Sequence, residues 1–209
     1  MIKICIADNH PVVIQGIKSF FSTNSTVEVV ASATNFEELS NSLQSKAVNI
    51  LVLDIELNGI SSIRDIKSII KENPDTKIIL FTAVSEKMYA PTAIKAGVSA
   101  YLLKTNPLKE LEMAILKVNQ GIVIFSEAVK RNIDLLNKGK KTDRLYKKLS
   151  SREIEVLRYL NDGKKNKEIA EILTLDEKTI STYKLRLLAK LNVTNLVDLL
   201  TKAKSLDII

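Results

Sequence analysis

The chain has 209 residues, 45% of them hydrophobic, with one cysteine, one histidine and a formal net charge of +7. That length supports two small domains, each with its own core; no apolar run approaches the roughly 20 residues that span a bilayer and the N-terminus lacks a signal-peptide pattern, so the reading is a cytoplasmic protein without a membrane partner. A lone cysteine and a lone histidine exclude an intramolecular disulfide and a cysteine–histidine zinc site.

The positive charge is unevenly spread. Residues 1–125 hold 12 Lys and Arg against 12 Asp and Glu, whereas residues 126–209 hold 19 against 12. A basic module behind a neutral one suggests a polyanionic partner for one end of the chain. Charge alone leaves a solvated basic surface as the other reading.

In chain order, short apolar runs alternate with amphipathic stretches: IKICIA (2–7), VEVVASA (27–33), NILVL (49–53), KIILF (77–81) and SAYLL (99–103). Between them fall residues at helical spacing, such as Val13, Ile17, Phe20 and Phe21, or Ile63, Ile66, Ile69 and Ile70. Five strand–helix repeats predict an α/β doubly wound parallel sheet with helices on both faces. Cys5 lies inside the first apolar run and reads as core filler.

Sites on such sheets form beyond the carboxyl ends of the strands. The residues closing four runs are Asp8, Asp54, Thr82 and Lys104. Each alone could be an ordinary polar strand end; together they converge on one edge. Asp54 can accept a phosphoryl group, and an oxygen-held divalent cation can offset its charge. Lys104 can pair with a phosphoryl oxygen and Thr82 can hydrogen-bond one. His10, ahead of Pro11, reads as the start of the first helix, with proton transfer as the alternative.

The segments ADNHP, VLDIELNGI, ILFTA and AGVSAYLLK, in this order across residues 7–104, resemble the receiver domain of two-component response regulators, with its CheY-like, flavodoxin-type fold. The resemblance implies that Asp54 is the phospho-acceptor and that a sensor histidine kinase is the donor. It implies Mg²⁺ held by Asp8, Asn9, Asp54 and the backbone carbonyl of Glu56. Thr82 and Tyr101 would be the switch pair and Lys104 the phosphate-binding lysine; from its place in SAYLL alone, Tyr101 reads as core. The family usually shows two adjacent acids where this chain has Asp8-Asn9, and Pro and Gly where it has Asn58 and Ser62. Asn9 offers a carbonyl oxygen but no charge, so magnesium binding is expected to be weaker than the family norm.

Two other functions compete. A haloacid dehalogenase-type phosphatase also uses a strand-end aspartate, and Asp54-Ile55-Glu56 offers the second acid such an enzyme needs. It also needs a further acidic pair after ILFT, which is missing, so the reading is not an enzyme. Alternatively, the receiver is degenerate and serves dimerisation or partner binding, with DNA binding independent of phosphorylation.

The stretch LKELEMAILKVNQG reads as a last amphipathic helix stopped by Gly121. Residues 1–120 are then the receiver, 121–148 a part-helical linker, and 149–209 a small all-α domain. In that domain Ser150 or Ser151 can cap a helix, with Glu153 placed for a capping box and Gly163 at its end. Asn166 or Lys167 opens a short helix ending near Leu173, and Asp176 can cap a third running to about Leu191. Two helices across a turn, the second long and basic, fit a DNA-binding helix-turn-helix.

In the third helix Ile180, Tyr183, Leu187 and Leu191 share the inward face, while Lys178, Ser181, Thr182, Leu185, Arg186 and Ala189 lie opposite. That side offers hydroxyls to base edges, Leu185 to a thymine methyl and cations to phosphates, and Thr179, Lys184 and Lys190 of the same helix are further candidate DNA contacts. LSSREIEVLRYL, DG, NKEIAEIL and DEKTISTYKLRLLAKLNV resemble the LuxR/FixJ-type (NarL-like) helix-turn-helix domain. This implies double-stranded DNA as partner and a homodimer on DNA, paired through the final stretch NLVDLLTKAKSL. Tyr183 stands where the family commonly has His, and is expected to be a packing change. The whole reads as a transcriptional regulator of a two-component phosphorelay, switched at Asp54.

Overall fold

The computed structural model of the chain describes residues 1–60, 62–126, 149–206 and 208–209. Up to residue 119 the chain alternates strand and helix: β1 (Ile2–Ala7), α1 (Pro11–Phe21), β2 (Val27–Ala33), α2 (Phe36–Ser45), β3 (Ile50–Leu53), α3 (Ile63–Glu72), β4 (Lys77–Thr82), α4 (Glu86–Ala96), β5 (Ala100–Leu103) and α5 (Leu108–Asn119). The apolar runs read from the sequence become these strands with shifts of one residue at their ends. All pairs are parallel, in the order β2-β1-β3-β4-β5.

The chain crosses from β1 to β2 on one side and returns to β3 on the other, so the order reverses between β1 and β3. Their register pairs Ala7 with Leu53, and the Asp54 N–H donates to the Ala7 carbonyl at 2.9 Å. The next residues, Asp8 and Asp54, therefore leave the sheet side by side at the switch point. At the far end Thr82 pairs with Leu103 as the last residue inside β4, and the Lys104 N–H donates to the Thr82 carbonyl at 2.9 Å.

Alternation explains why the strands are apolar throughout. Ile4, Ile6, Ile50, Val52, Ile79 and Phe81 meet α1 and α5 on one face. Cys5, Leu51, Leu53, Ile78 and Leu80, pointing the other way, are equally buried. Burial pushes the Cys5 thiol up to about 12, against a downward pull from Lys46, which makes it an inert core group.

Two departures from the family pattern have local causes. Ser62 caps α3 in a reciprocal box with Asp65, so a serine serves the helix start. Asn58 bridges to Asn35, and its carbonyl accepts the Phe36 N–H at 2.8 Å. Gly59 then turns with φ +91°, and a Cβ there would stand 2.7 Å from Phe36 Cβ. After α5, Gly121 turns with φ +88° and Ile124 bridges to Ala100 beside β5. This isolated bridge falls within the expected linker, residues 121–148; residues 127–148 of it lie outside the described residues.

The second unit packs α6 (Ser151–Asn161), α7 (Asn166–Leu173), α8 (Glu177–Leu191) and α9 (Leu196–Ser205). Ser150 closes the expected capping box with Glu153. Asp176 holds the cap position of α8 but its side chain makes no capping bond. Ile169, Leu173, Ile180, Leu187, Leu191, Leu199 and Ala203 are buried. The turn between α7 and α8 starts at Thr174 with φ +53°, a left-handed conformation that a β-branched residue adopts only under strain.

Candidate functional site

Asp8 and Asp54 are 2% and 1% exposed. Two buried carboxylates side by side repel unless a cation compensates them, and Lys104 reaches back from the end of β5 to do so. Its Nζ lies 2.6 Å from Asp54 Oδ2 and 2.8 Å from Asp8 Oδ2. Burial pulls the ammonium down, but its hydrogen bonds and charge contacts with Asp54 and Asp8 outweigh this and leave it above its ordinary value. Asp54 Oδ1 accepts the Glu56 N–H at 3.2 Å. Asp8 Oδ1 accepts the His10 N–H at 2.8 Å and faces His10 Nδ1 at 3.0 Å.

Asn9 Oδ1 is buried and has no hydrogen-bond partner among the described residues. A buried amide oxygen left bare in the residue after Asp8 suits a cation, and with the carboxylates of Asp8 and Asp54 it makes a donor set that fits the hard-oxygen chemistry of a divalent ion. Glu56 touches the acceptor through its amide.

Thr82 and Tyr101, expected as a switch pair, are both buried. Thr82 Oγ1 accepts the Val84 N–H at 3.4 Å, and the Tyr101 hydroxyl donates to the Val84 carbonyl at 2.9 Å. Their meeting residue, Val84, takes part through its backbone alone, so no side-chain signal pointed to it.

On α8, Lys178, Thr182, Leu185 and Arg186 are exposed, and Thr179, Ser181 and Lys184 are half-buried. Ser181 Oγ accepts from Asn166 Nδ2 at 3.1 Å, tying α8 to the first residue of α7. Thr182 donates its hydroxyl to the Lys178 carbonyl at 2.9 Å, leaving its lone pairs free to accept. Tyr183, expected to face inward, is half-buried, with the Arg186 guanidinium 5.8 Å from its ring centroid. Lys190 is not an open cation: its Nζ donates to Glu153 Oε2 at 2.7 Å. Burial raises the Glu153 carboxyl, but the bonds from Lys190 and the Ser150 backbone and hydroxyl prevail and hold it below its ordinary value.

Residues 4–116 match the response regulator receiver domain, and residues 147–203 match the bacterial regulatory proteins of the luxR family. The chain belongs to the luxR-type response regulators. These are DNA-binding regulators of transcription, and the phosphatase reading falls with this assignment. Among relatives, the Fimbriae Z protein of Salmonella typhimurium is 33% identical over 209 residues, covering 99% of this chain and 98% of that protein. The response regulator VraR of Staphylococcus aureus is 30% identical, covering 92% and 91%. The RcsB response regulator of Salmonella typhimurium has a TM-score of 0.81 at 28% identity, covering 98% of this chain and 97% of that one. RcsB from Salmonella enterica serovar Typhimurium bound to a promoter in the presence of the phosphomimetic BeF₃⁻ has a TM-score of 0.77 at 29% identity, covering 97% and 98%.

Proposed function

We propose that Asp54 of this regulator accepts a phosphoryl group from a sensor histidine kinase, and that this switches its pairing and its hold on DNA. The arrangement of Asp54 carries the reading: a buried carboxylate at the sheet's switch point, with Lys104 Nζ on one oxygen and the Glu56 N–H on the other. In the transfer, a carboxylate oxygen of Asp54 attacks phosphorus as the P–N bond of the donor breaks, and Lys104 passes from the carboxylate to a phosphoryl oxygen. Mg²⁺ at Asp8, Asn9, Asp54 and the Glu56 carbonyl would supply charge neutralisation. Asn9 adds no charge, which leaves this cation held more weakly than by two adjacent acids.

A phosphoryl oxygen that draws the Thr82 hydroxyl toward it weakens the grip on Val84, and the Tyr101 bond to the Val84 carbonyl loosens with it. The state in which both residues have moved holds the phosphoryl group better, and that difference in affinity is what shifts the population.

At the other end, α8 enters the major groove of double-stranded DNA, in the cytoplasm where the DNA is. Lys178, Lys184 and Arg186 hold phosphates; Thr179, Ser181, Thr182 and Leu185 meet base edges. Lys190 steadies the helix through Glu153. Two copies pair through α9 and read two half-sites. The structures of RcsB bound to a promoter and to DNA support DNA binding by this chain.

One observation favours a phosphorylation-independent receiver: Lys104 already compensates both carboxylates. Intact mass after incubation with acetyl phosphate, with and without Mg²⁺, decides between the two. A magnesium-dependent adduct absent from Asp54→Ala, and stronger in Asn9→Asp, is the expected result; no adduct, with DNA binding intact, favours the independent reading.

A further inference from the structure

The pocket holds one group that phosphoryl transfer leaves unused, the imidazole of His10, the single histidine of the chain. One ligand atom each from Asp8, His10 and Asp54 can be chosen so that all lie within 4.8 Å of one another. Lys104 marks the point they share. Its ammonium sits 2.6 Å from Asp54 Oδ2, 2.8 Å from Asp8 Oδ2 and 3.4 Å from His10 Nδ1. A positive charge at this point is therefore already within reach of two carboxylates and an imidazole nitrogen. Asn9, between Asp8 and His10, adds the buried amide oxygen without a partner among the described residues.

We propose that His10 Nδ1 is a ligand of the divalent cation in this pocket, and that it biases the pocket from magnesium toward first-row transition ions such as Co²⁺. The inference rests on the reading of the receiver pocket as a cation site. Magnesium dehydrates reluctantly and takes oxygen ligands, and this pocket offers it a neutral amide in place of a second adjacent acid. An imidazole nitrogen gives transition ions a ligand that they accept and magnesium disfavours.

The geometry is compatible without a large movement. Two ligands at right angles on an ion, with bonds of about 2.1 Å, stand about 3.0 Å apart. His10 Nδ1 and Asp8 Oδ1 are 3.0 Å apart, and the His10 N–H, bonded to that same oxygen at 2.8 Å, anchors the residue. The ring is 59% exposed, so Nε2 can take the hydrogen into water when an ion replaces the Nδ1 contact with Asp8 and binds the Nδ1 lone pair. Lys104 leaves the shared point and remains available to a phosphoryl oxygen.

A lone histidine makes the test direct, because its imidazole NMR signals need no separation from others. The full chain is titrated with Co²⁺ and, separately, with Mg²⁺, followed by calorimetry and by the imidazole resonances. Paramagnetic displacement of those resonances by Co²⁺ is expected. His10→Gln should weaken Co²⁺ binding about tenfold or more, with Mg²⁺ affinity held within about twofold. Equal effects on both ions, or on neither, overturn the proposal, as does a displacement that survives in Asp54→Asn, which would mean capture by an isolated surface imidazole. If neither ion binds the wild-type chain, the cation-site reading fails with it; normal Mg²⁺ binding with unmoved imidazole signals under Co²⁺ sinks this proposal alone.

Discussion

Thr82 and Tyr101 hold the two polar groups of one residue: Thr82 Oγ1 accepts the N–H of Val84 and the Tyr101 hydroxyl donates to its carbonyl. Neither side chain can move without leaving Val84 half-held, so a change at the end of β4 is felt at β5. Tyr101→Phe removes the donor and keeps the ring. It should cost the receiver about 1 kcal/mol in a denaturant midpoint. Phosphoryl uptake, read by intact mass, should persist, while the gain in DNA affinity on phosphorylation, read by fluorescence anisotropy, should shrink. Full retention of that gain would leave the Val84 clasp as packing only.

Lys104 is the cation that lets Asp8 and Asp54 stay together in the sheet's edge. Its ammonium is raised above the ordinary value of 10.5, with burial opposing and the two carboxylates prevailing. The sign follows: its contribution is complete below 10.5 and is lost as pH climbs through the higher folded-state value. Lys104→Met should lower stability at neutral pH by about 2 kcal/mol and flatten the alkaline decline. Urea midpoints of both forms from neutral to alkaline pH test this. A decline unchanged in the variant would assign it to other groups.

How much of this could be read beforehand depends on whether the signal was local. Apolar runs bounded by polar residues give the strands because each is buried on both faces, and the strand ends give Asp8, Asp54 and Lys104 because topology levels them at one edge. The Ser150–Glu153 box is local too, a spacing of three residues that fixes a helix start. What escaped reading is set by distant partners. Lys190, expected among the DNA-binding cations, has a partner that no local spacing shows: only tertiary packing brings Glu153, 37 positions earlier, under it. Gly59 escaped as well: the Asn58-Gly59 pair signals a turn, but the close approach that demands glycine comes from Phe36, 23 positions earlier.

That glycine makes a sharp prediction. Its φ of +91° and the 2.7 Å approach of a Cβ to Phe36 Cβ forbid alanine without movement of α2. Gly59→Ala should destabilise the receiver by about 2 kcal/mol or more. Gly16, whose added Cβ meets nothing within 4 Å, is the control: Gly16→Ala should stabilise by up to about 1 kcal/mol, through helix propensity alone. Thermal midpoints that move the same way in both would show that the close approach at Phe36 is relieved cheaply.

Glu153 and Lys190 join the start of α6 to the last turn of α8, and they separate structure from recognition within the cations of α8. Burial opposes ionisation of Glu153, but Lys190 and Ser150 hold its carboxyl below the ordinary 4.5. Its stabilisation is therefore present above 4.5 and fades as pH falls through the lower folded-state value. Glu153→Gln should blunt the acid decline of the second unit, and a double-mutant cycle with Lys190→Met should show coupling. DNA supplies the contrast. A cation that holds a phosphate contributes about one unit to the slope of log affinity against log salt. Lys178→Ala and Arg186→Ala should each reduce that slope by about one. Lys190→Ala should leave it unchanged and act through the thermal midpoint. A slope that falls for Lys190→Ala as for the other two would mean that Lys190 exchanges Glu153 for a phosphate when DNA arrives.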